Sequence, residues 1–295
     1  MSEGRGRHGQ WLVVGPQAGS RRQPWRRQDA AWSKALMSLT LVVVAVAGAG
    51  LGGCSTGPTG RDVRTASDET DLDRRARVRL ELAAAYFQRG QHTTALDEVK
   101  QALVAKPTYL DALNLRALIY GAMKEPVLAE ESFRRALSVD ADHADTLHNY
   151  GWFLCQQRRY GEAERQFLRA NAQPSYREQG KTFLALGVCQ ARDRRLPEAE
   201  QSLMRAFELD PGSPTVAVNL SEVLYRRGEF ERARFYVRRV NVSEDMVSAQ
   251  SLWLAIRIER KLDQPAVMRV LGRQLSERFQ GSPEVQLYEK GLFDE

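Results

Sequence analysis

Small side chains recur about every 34 residues along most of the sequence, and this period constrains the fold more than any other feature. Alanine fills the strongest position in five successive units, with valine in the sixth place: Ala95, Ala129, Ala163, Ala199, Ala233 and Val267. A second small position lies twelve residues earlier in every unit. Two antiparallel helices approach closely only where side chains are small. The pattern therefore predicts an all-α chain of repeated helix pairs.

The pattern resembles the tetratricopeptide repeat, a helix–turn–helix unit of 34 residues. The resemblance implies a right-handed solenoid of about six repeats, placed at 76–109, 110–143, 144–177, 180–213, 214–247 and 248–281. Residues 282–295 then form a C-terminal cap or tail. Two extra residues around 173–180 predict a lengthened junction between the third and fourth repeats.

The N-terminal segment predicts export from the cytoplasm. Residues 1–53 carry seven Lys or Arg against two acidic residues, and the rest of the chain has a net charge of only +1. A basic region followed by the uncharged, apolar stretch 35–53 is typical of a cleaved signal peptide. An uncleaved membrane anchor is the alternative. The nearly neutral remainder argues against a nucleic-acid partner.

The end of this apolar stretch, Leu51-Gly52-Gly53-Cys54, resembles the bacterial lipobox. The resemblance implies cleavage before Cys54 and acylation of that residue, and several acyl chains anchor a protein firmly. Ser55 stands where inner-membrane lipoproteins commonly have Asp, which favours the periplasmic face of the outer membrane in a Gram-negative bacterium. Residues 54–75 are polar without an apolar period and predict a lipidated, flexible tether.

The sequence contains no constellation typical of catalysis. It has no glycine-rich phosphate loop, no nucleophile elbow and no Cys-x-x-Cys pair. The segment DADHAD at 140–145 is better interpreted as Asp residues that cap a helix than as a metal cluster. We therefore expect a protein that is not an enzyme and that binds neither a metal nor a cofactor.

Two cysteines, Cys155 and Cys189, fall on the first helices of neighbouring predicted repeats. An oxidising compartment would permit a bond between them. Packed helices have axes about 8–10 Å apart, whereas a disulfide needs Cα atoms within about 7 Å. Buried free thiols are therefore the expectation.

Binding is the activity that a solenoid of this kind offers. Positions 2, 5, 9 and 12 of each first helix line the concave face of tetratricopeptide solenoids. The candidate partner-binding residues at these positions are Phe87, Asn114, Leu118, His148, Trp152, Val188 and Tyr225. Aromatic and apolar side chains in a groove suit a peptide or a helix. The alternative is that several of these residues pack against the next repeat.

A lipobox, a short tether and six repeats together resemble the type IV pilus biogenesis lipoproteins PilF and PilW, the pilotins. The stretch 124–167, with its segments NYGWFL and RRYGEAE, carries the resemblance most clearly. The family implies a protein that binds a subunit of the outer-membrane secretin and promotes its localisation and multimerisation. We expect the protein to be a monomer. A general periplasmic scaffold for envelope or cell-wall assembly is the alternative, and an enzyme with an unrecognised site is a third class.

Overall fold

The computed structural model describes residues 70–293, and in this range every regular element is an α-helix. The thirteen helices are α1 Asp71–Gln88, α2 His92–Ala105, α3 Leu110–Ala122, α4 Pro126–Val139, α5 Ala144–Gln156, α6 Tyr160–Asn171, α7 Gln179–Arg192, α8 Leu196–Leu209, α9 Pro214–Arg226, α10 Phe230–Asn241, α11 Ala249–Lys261, α12 Pro265–Arg278 and α13 Pro283–Glu289. Short turns make consecutive helices antiparallel. The first twelve form six helix pairs, a solenoid of helix–turn–helix repeats.

The turn inside each pair has the same backbone geometry. One residue, two places before the second helix, has a φ between +54° and +80° in all six turns: Gly90, Lys124, Arg158, Arg194, Gly228 and Asp263. In the first turn the amide of Gln91 donates to the carbonyl of Tyr86 at 3.0 Å, and the other five turns repeat this bond. A left-handed residue followed by such a bond ends a helix sharply. The chain therefore reverses in the same way in every repeat.

The recurring small residues lie where the two helices of a pair meet. All five alanines of the strongest position are fully buried. In two pairs the facing small residue is glycine: a Cβ on Gly151 would lie 2.8 Å from the Phe167 ring, and one on Gly187 would lie 2.6 Å from Cγ of Leu203. No larger residue fits at these contacts without displacing its neighbour. The 34-residue period therefore records helix-to-helix contact.

The sixth repeat is one residue out of the register that the sequence predicts. Its left-handed turn residue, Asp263, follows Gly228 by 35 residues. Val267 is accordingly 41% exposed, whereas the next residue, Met268, packs against the apolar cluster at the C-terminal end. The predicted period of 34 is wrong here because a longer junction precedes the repeat.

Two of the five junctions between repeats are longer than the others. Residues 172–178 and 242–248 each separate consecutive helices by seven residues, whereas the other three junctions have four. The sequence predicts the first of these and not the second. The helices that precede them, α6 and α10, have twelve residues instead of the fourteen of α4 and α8. The shorter helix offsets most of the longer junction, so the period of the repeat changes little.

Ion pairs join the second helix of one repeat to the residue just before the second helix of the next repeat. The Arg159 guanidinium donates to Glu130 at 2.7 Å, and Arg195 donates to Glu164 at 2.7 Å, so the same pairing occurs one repeat later. The hydroxyl of Tyr150 also donates to Glu130 at 2.8 Å. The hydrogen bond from Arg159 holds the pKa of Glu130 below its usual value. These partly buried contacts fix neighbouring repeats to each other.

Cys155 and Cys189 form a disulfide between α5 and α7, and the expectation of free thiols is wrong. Their Cα atoms are 5.8 Å apart. The two cysteines lie on the facing surfaces of adjacent helices, where Cα atoms are closer than the helix axes. The bond therefore ties the third repeat to the fourth.

The first helix begins earlier than the sequence predicts. Residues 71–75, assigned above to the tether, form the start of α1. Asp73 accepts from the Lys106 ammonium at 2.8 Å, which binds this turn to the end of α2. The signal peptide, Cys54 and tether residues 54–69 lie outside the described residues, as do residues 294–295. In the part that the structure covers, no helix has both the length and the apolarity needed to cross a bilayer.

The C-terminal end is covered by α13 instead of by another full repeat. Val285 of this helix joins Trp253 and Leu275 in a buried apolar cluster, and Tyr288 packs directly on Gly272. The four apolar clusters of the described residues all lie between Ala76 and Phe293. A fragment of residues 70–295 contains all four of these cores, and we expect it to fold on its own.

Candidate protein-binding groove

The ninth position of the predicted repeats forms a row along the solenoid, and its burial changes half-way along. In the first three repeats the row is partly exposed, at Ala84, Leu118 and Trp152. In the fourth and fifth repeats Val188 and Glu222 are 0% and 7% exposed. The row is therefore open to a partner in repeats one to three and is filled by the chain's own packing beyond them.

Trp152 is the last residue of the open part of this row, next to the filled part. Its partly buried ring packs against the apolar clusters on both sides, those of repeats two to four and of repeats four to six. The Arg192 guanidinium carbon lies 4.9 Å from the centre of the ring, and burial lowers the pKa of Arg192 from its usual value. A guanidinium stacked on an indole is attracted by the ring and holds it in place. The pair forms an ordered aromatic and cationic surface.

Val188 does not belong to the accessible groove, contrary to its selection from the sequence. It is completely buried in the apolar cluster that also contains Leu220 and Leu254. The fourth repeat has small or aliphatic residues around this position, so the next repeat packs directly onto it. A partner cannot contact Val188 while the solenoid is folded.

His148 and Asn114 connect repeats instead of presenting free polar groups. Asn149 donates from Nδ2 to Oδ1 of Asn114 at 3.2 Å, and Nδ1 of His148 is 2.8 Å from the Thr182 hydroxyl. Burial lowers the pKa of His148 to about 4, so the ring is neutral near pH 7. The hydroxyl of Tyr176, in the long junction, also contacts Thr182 at 2.9 Å. Both sequence-selected residues thus bridge adjacent helices.

Tyr225 is partly exposed but lies beside an ion pair that fills the groove. The Arg257 guanidinium carbon is 4.5 Å from the centre of the Tyr225 ring, and Nη1 of Arg257 lies 3.6 Å from Oε2 of Glu222. Burial raises the pKa of Glu222. Arg257 and Glu222 are each less than 10% exposed. The structure therefore groups Tyr225 with the filled part of the row and not with Trp152.

Phe87 lies at the other end, in the first repeat. Its partly buried ring packs against the first apolar cluster and is 5.5 Å from the His92 ring, centre to centre. Leu118, from the second repeat, packs in the same way against the next cluster. The accessible apolar residues of the groove are thus Phe87, Leu118 and Trp152.

Sequence reasoning missed Arg192, which stacks on Trp152 at the end of the open row, and Phe183. Phe183 packs between the same two apolar clusters as Trp152. Arg192 is the last residue of α7, and neither residue lies at one of the four positions used to select candidates. Arg192 could have been found from the sequence as a basic residue at position 13 of its repeat, directly after the last of the four positions. Within residues 70–293 no three His, Cys, Asp or Glu side chains cluster in a way that could hold a metal ion.

Comparison with known proteins finds relatives of this chain. A model of the tetratricopeptide repeat matches residues 110–143. The type IV pilus assembly protein PilF of Pseudomonas aeruginosa is 29% identical over 253 residues, which cover 86% of this chain and 99% of PilF. This chain is a homologue of PilF. The similarity to PilF spans nearly the whole relative, so it concerns the complete repeat array and not a single repeat.

Two solved structures agree with the relationship to PilF. The Pseudomonas aeruginosa PilF structure superposes with a TM-score of 0.66 at 29% identity and covers 75% of this chain and 100% of its own. The crystal structure of PilW, described as a widely conserved type IV pilus biogenesis factor, gives a TM-score of 0.68 at 29% identity, with 72% and 97% coverage. The repeat array of this PilF homologue therefore matches theirs over nearly their full lengths.

Proposed function

We propose that the chain acts in type IV pilus biogenesis as an outer-membrane lipoprotein that binds a secretin subunit in the groove of repeats one to three. Relatives in type IV pilus assembly, PilF and PilW, support the process. The observation that carries the binding site is the open row that ends at the Trp152–Arg192 pair. Trp and Arg are the residue types that most often dominate the binding energy of interfaces. Binding promotes the localisation of the secretin and its multimerisation.

The shape of the groove sets the class of the bound segment. Phe87, Leu118 and Trp152 present apolar surface from three successive repeats, and Arg192 adds a cation beside the last of them. An amphipathic helix or an extended peptide fits such a row, because its apolar side chains meet successive repeats. The row is filled from Val188 onward, so we expect the bound segment to contact only the N-terminal half of the solenoid.

A deletion strain tests this function directly. Loss of heat-resistant secretin multimers, with monomers still present, is the expected result, together with loss of twitching motility. Persistence of multimers and motility would contradict the proposal and would favour a general scaffold for envelope or cell-wall assembly.

Complementation with groove variants then tests the site. Trp152→Ala is expected to fail to restore multimers and Trp152→Phe to restore them in part, because the ring supplies the contact surface. Val127→Ala is a matched control, since Val127 is 78% exposed on α4 and is not in the groove. Thermal unfolding of each purified variant separates loss of binding from loss of fold. Full activity of a folded Trp152→Ala protein would exclude this groove.

The membrane anchor is a separate part of the proposal and is supported by the lipobox-like sequence before Cys54. Acyl chains on Cys54 would hold the repeats at the periplasmic face of the outer membrane. Mass spectrometry of the mature N-terminus is expected to find acylated Cys54, and Cys54→Ser is expected to leave the protein outside the outer-membrane fraction. An unmodified thiol in the mature protein would contradict the anchor.

A further inference from the structure

An arginine recurs as the tenth residue of the second helix in four repeats, at Arg135, Arg169, Arg205 and Arg239. In two of them the guanidinium binds the junction that precedes its own repeat. Nη2 of Arg135 donates to the carbonyl of Pro107 at 3.3 Å, and Nη2 of Arg169 donates to the carbonyl of Ala141 at 2.6 Å. The arginine at this place thus satisfies backbone oxygens at the edge of the solenoid.

Arg239 departs from this pattern. Its guanidinium carbon lies over two aromatic rings, 5.6 Å from the centre of Phe207 and 5.9 Å from that of Phe235. Within residues 70–293 its side chain has no hydrogen-bond or ion-pair partner, and the same holds for the exposed side chain of Arg238. The guanidinium groups of Arg238 and Arg239 are therefore presented to the surroundings, although the arginine equivalent to Arg239 binds a junction in two other repeats.

A cavity of about 300 Å³ lies beside Arg239, between two junctions. It is lined by Pro211 and Pro214, around the start of α9, and by Val242 and Met246 of the long junction 242–248. Val242 is 81% exposed, so its side chain is accessible beside the cavity. The cavity is thus apolar, open, and bordered by a cation.

Exposed aromatic surface extends the cavity along α10. Phe235 is 56% exposed, and its ring is 5.1 Å from that of the buried Tyr236. Helix α10 carries four arginines and one glutamate, and Arg232 and Arg234 are both held in ion pairs. We call Phe235, Arg238, Arg239, Val242 and the cavity the Arg239 surface.

We propose that the Arg239 surface binds an acidic polypeptide segment whose large apolar side chain enters the cavity. The unpaired guanidinium groups lie next to apolar surface, where a carboxylate forms a strong, paired hydrogen bond. The recess between two junctions suits one side chain, and the charge of the neighbouring arginines selects an acidic partner over a neutral one. This surface lies on the second helices and is separate from the groove of repeats one to three. If the Arg239 surface binds no acidic segment, the proposed function in the groove is unaffected.

The test measures fluorescence anisotropy with the 70–295 fragment and three labelled peptides of about twelve residues. The first peptide has a central Trp flanked by glutamates, the second has glutamines in their place, and the third has Ala for Trp. We expect the first to bind at least about tenfold more tightly than either of the others, with affinity that falls as salt rises.

Variants then assign the binding to the surface. Arg239→Gln and Phe235→Ala should each weaken binding of the acidic peptide about tenfold. Arg169→Gln is the matched control, because Arg169 has the same place in α6 and binds Ala141. Each arginine variant removes one exposed cation, so a general charge effect would weaken peptide binding equally in both variants. Circular dichroism checks that each variant keeps its helices.

Equal affinity for the acidic and glutamine peptides would overturn the proposal. So would an equal loss of affinity for the acidic peptide in Arg169→Gln and Arg239→Gln. Unchanged affinity in Arg239→Gln, or in Phe235→Ala, would also overturn it. Sedimentation with phosphatidylglycerol vesicles covers another class of partner. Vesicle binding that depends on Arg239, without peptide binding, would assign the surface to a membrane and refute the acidic segment.

Discussion

Cys155 of α5 and Cys189 of α7 are joined by a disulfide, with their Cα atoms 5.8 Å apart and a separation of 34 positions in sequence. Both side chains are almost completely buried in the apolar cluster of repeats two to four. The bond lies one turn of helix beyond Trp152, so it joins the last open repeat of the groove to the first filled one.

Removal of this cross-link is expected to lower the free energy of unfolding by about 2–4 kcal/mol, because it constrains a loop of 34 residues in the unfolded chain. Urea unfolding of the 70–295 fragment, which lacks Cys54, measures the effect with and without a reductant. A Cys155→Ala/Cys189→Ala variant should not respond to the reductant. Identical unfolding midpoints for the oxidised and reduced fragment would contradict the prediction.

Gly187→Ala is expected to destabilise the fold by about 1–3 kcal/mol, because the new Cβ would lie 2.6 Å from Cγ of Leu203. Gly121→Ala is the control: its nearest neighbour would be Phe153 at 3.9 Å, and alanine favours a helix over glycine by about 1 kcal/mol. Denaturant unfolding should therefore move the two variants in opposite directions. Equal effects would show that the contact between α7 and α8 is looser than described.

Stability should fall between pH 6.5 and pH 4 through His148. Its pKa of about 4 in the fold lies below the usual 6.5, so in this range the unfolded chain binds a proton that the folded chain does not. The loss reaches about 3 kcal/mol at pH 4. Asp145, Lys181 and Glu178 are the charged groups that act on this ring.

Urea unfolding at several pH values, with His148→Gln as the comparison, measures this dependence. The variant can still face the Thr182 hydroxyl but has no group that titrates in this range. Its free energy of unfolding should change less between pH 6.5 and pH 4 than that of the parent. The low pKa of Glu130 affects stability only below about pH 4.5. There the unfolded carboxyl gains a proton, and the stabilisation from the Glu130 ion pair is lost as pH falls further. An unchanged slope in the variant would exclude His148 as the cause.

The pairing of Glu164 with Arg195 should give a measurable coupling energy of about 0.5–1 kcal/mol in a double-mutant cycle with Gln substitutions. Glu164 is only 24% exposed and also accepts from Gln190 at 3.0 Å. The pair Arg205–Glu208, with both side chains more than half exposed on one helix, should give a coupling close to zero. Equal couplings would mean that the contacts between repeats add no more than surface pairs do.

The repeat architecture could be predicted because it depends on helix contacts that recur at one spacing. Ala129 and Ala163 are buried in the same way in successive repeats, so the period in the sequence is the period in space. The sixth repeat broke this relation. Spacing counts residues and not distance, and the seven residues of 242–248 moved Met268 into the place predicted for Val267.

The candidate groove was predictable only in part. The ninth position of each predicted repeat faces the same side, and the sequence locates Leu118 and Trp152 there. Exposure at that position depends on how closely the next repeat packs, and Val188 is covered where Trp152 is not. The disulfide was missed for a related reason: a general distance between helix axes does not describe two residues at the point of closest contact.

The contact of Tyr288 with Gly272 has a further consequence for the length of the array. Helix α13 occupies the side of α11 and α12 on which an additional repeat would stack, and the Tyr288 ring leaves no room for a Cβ at Gly272. Another unit, whether from this chain or from a second protein, could be added there only after α13 is displaced. Growth of the stack is thereby blocked at its carboxyl end.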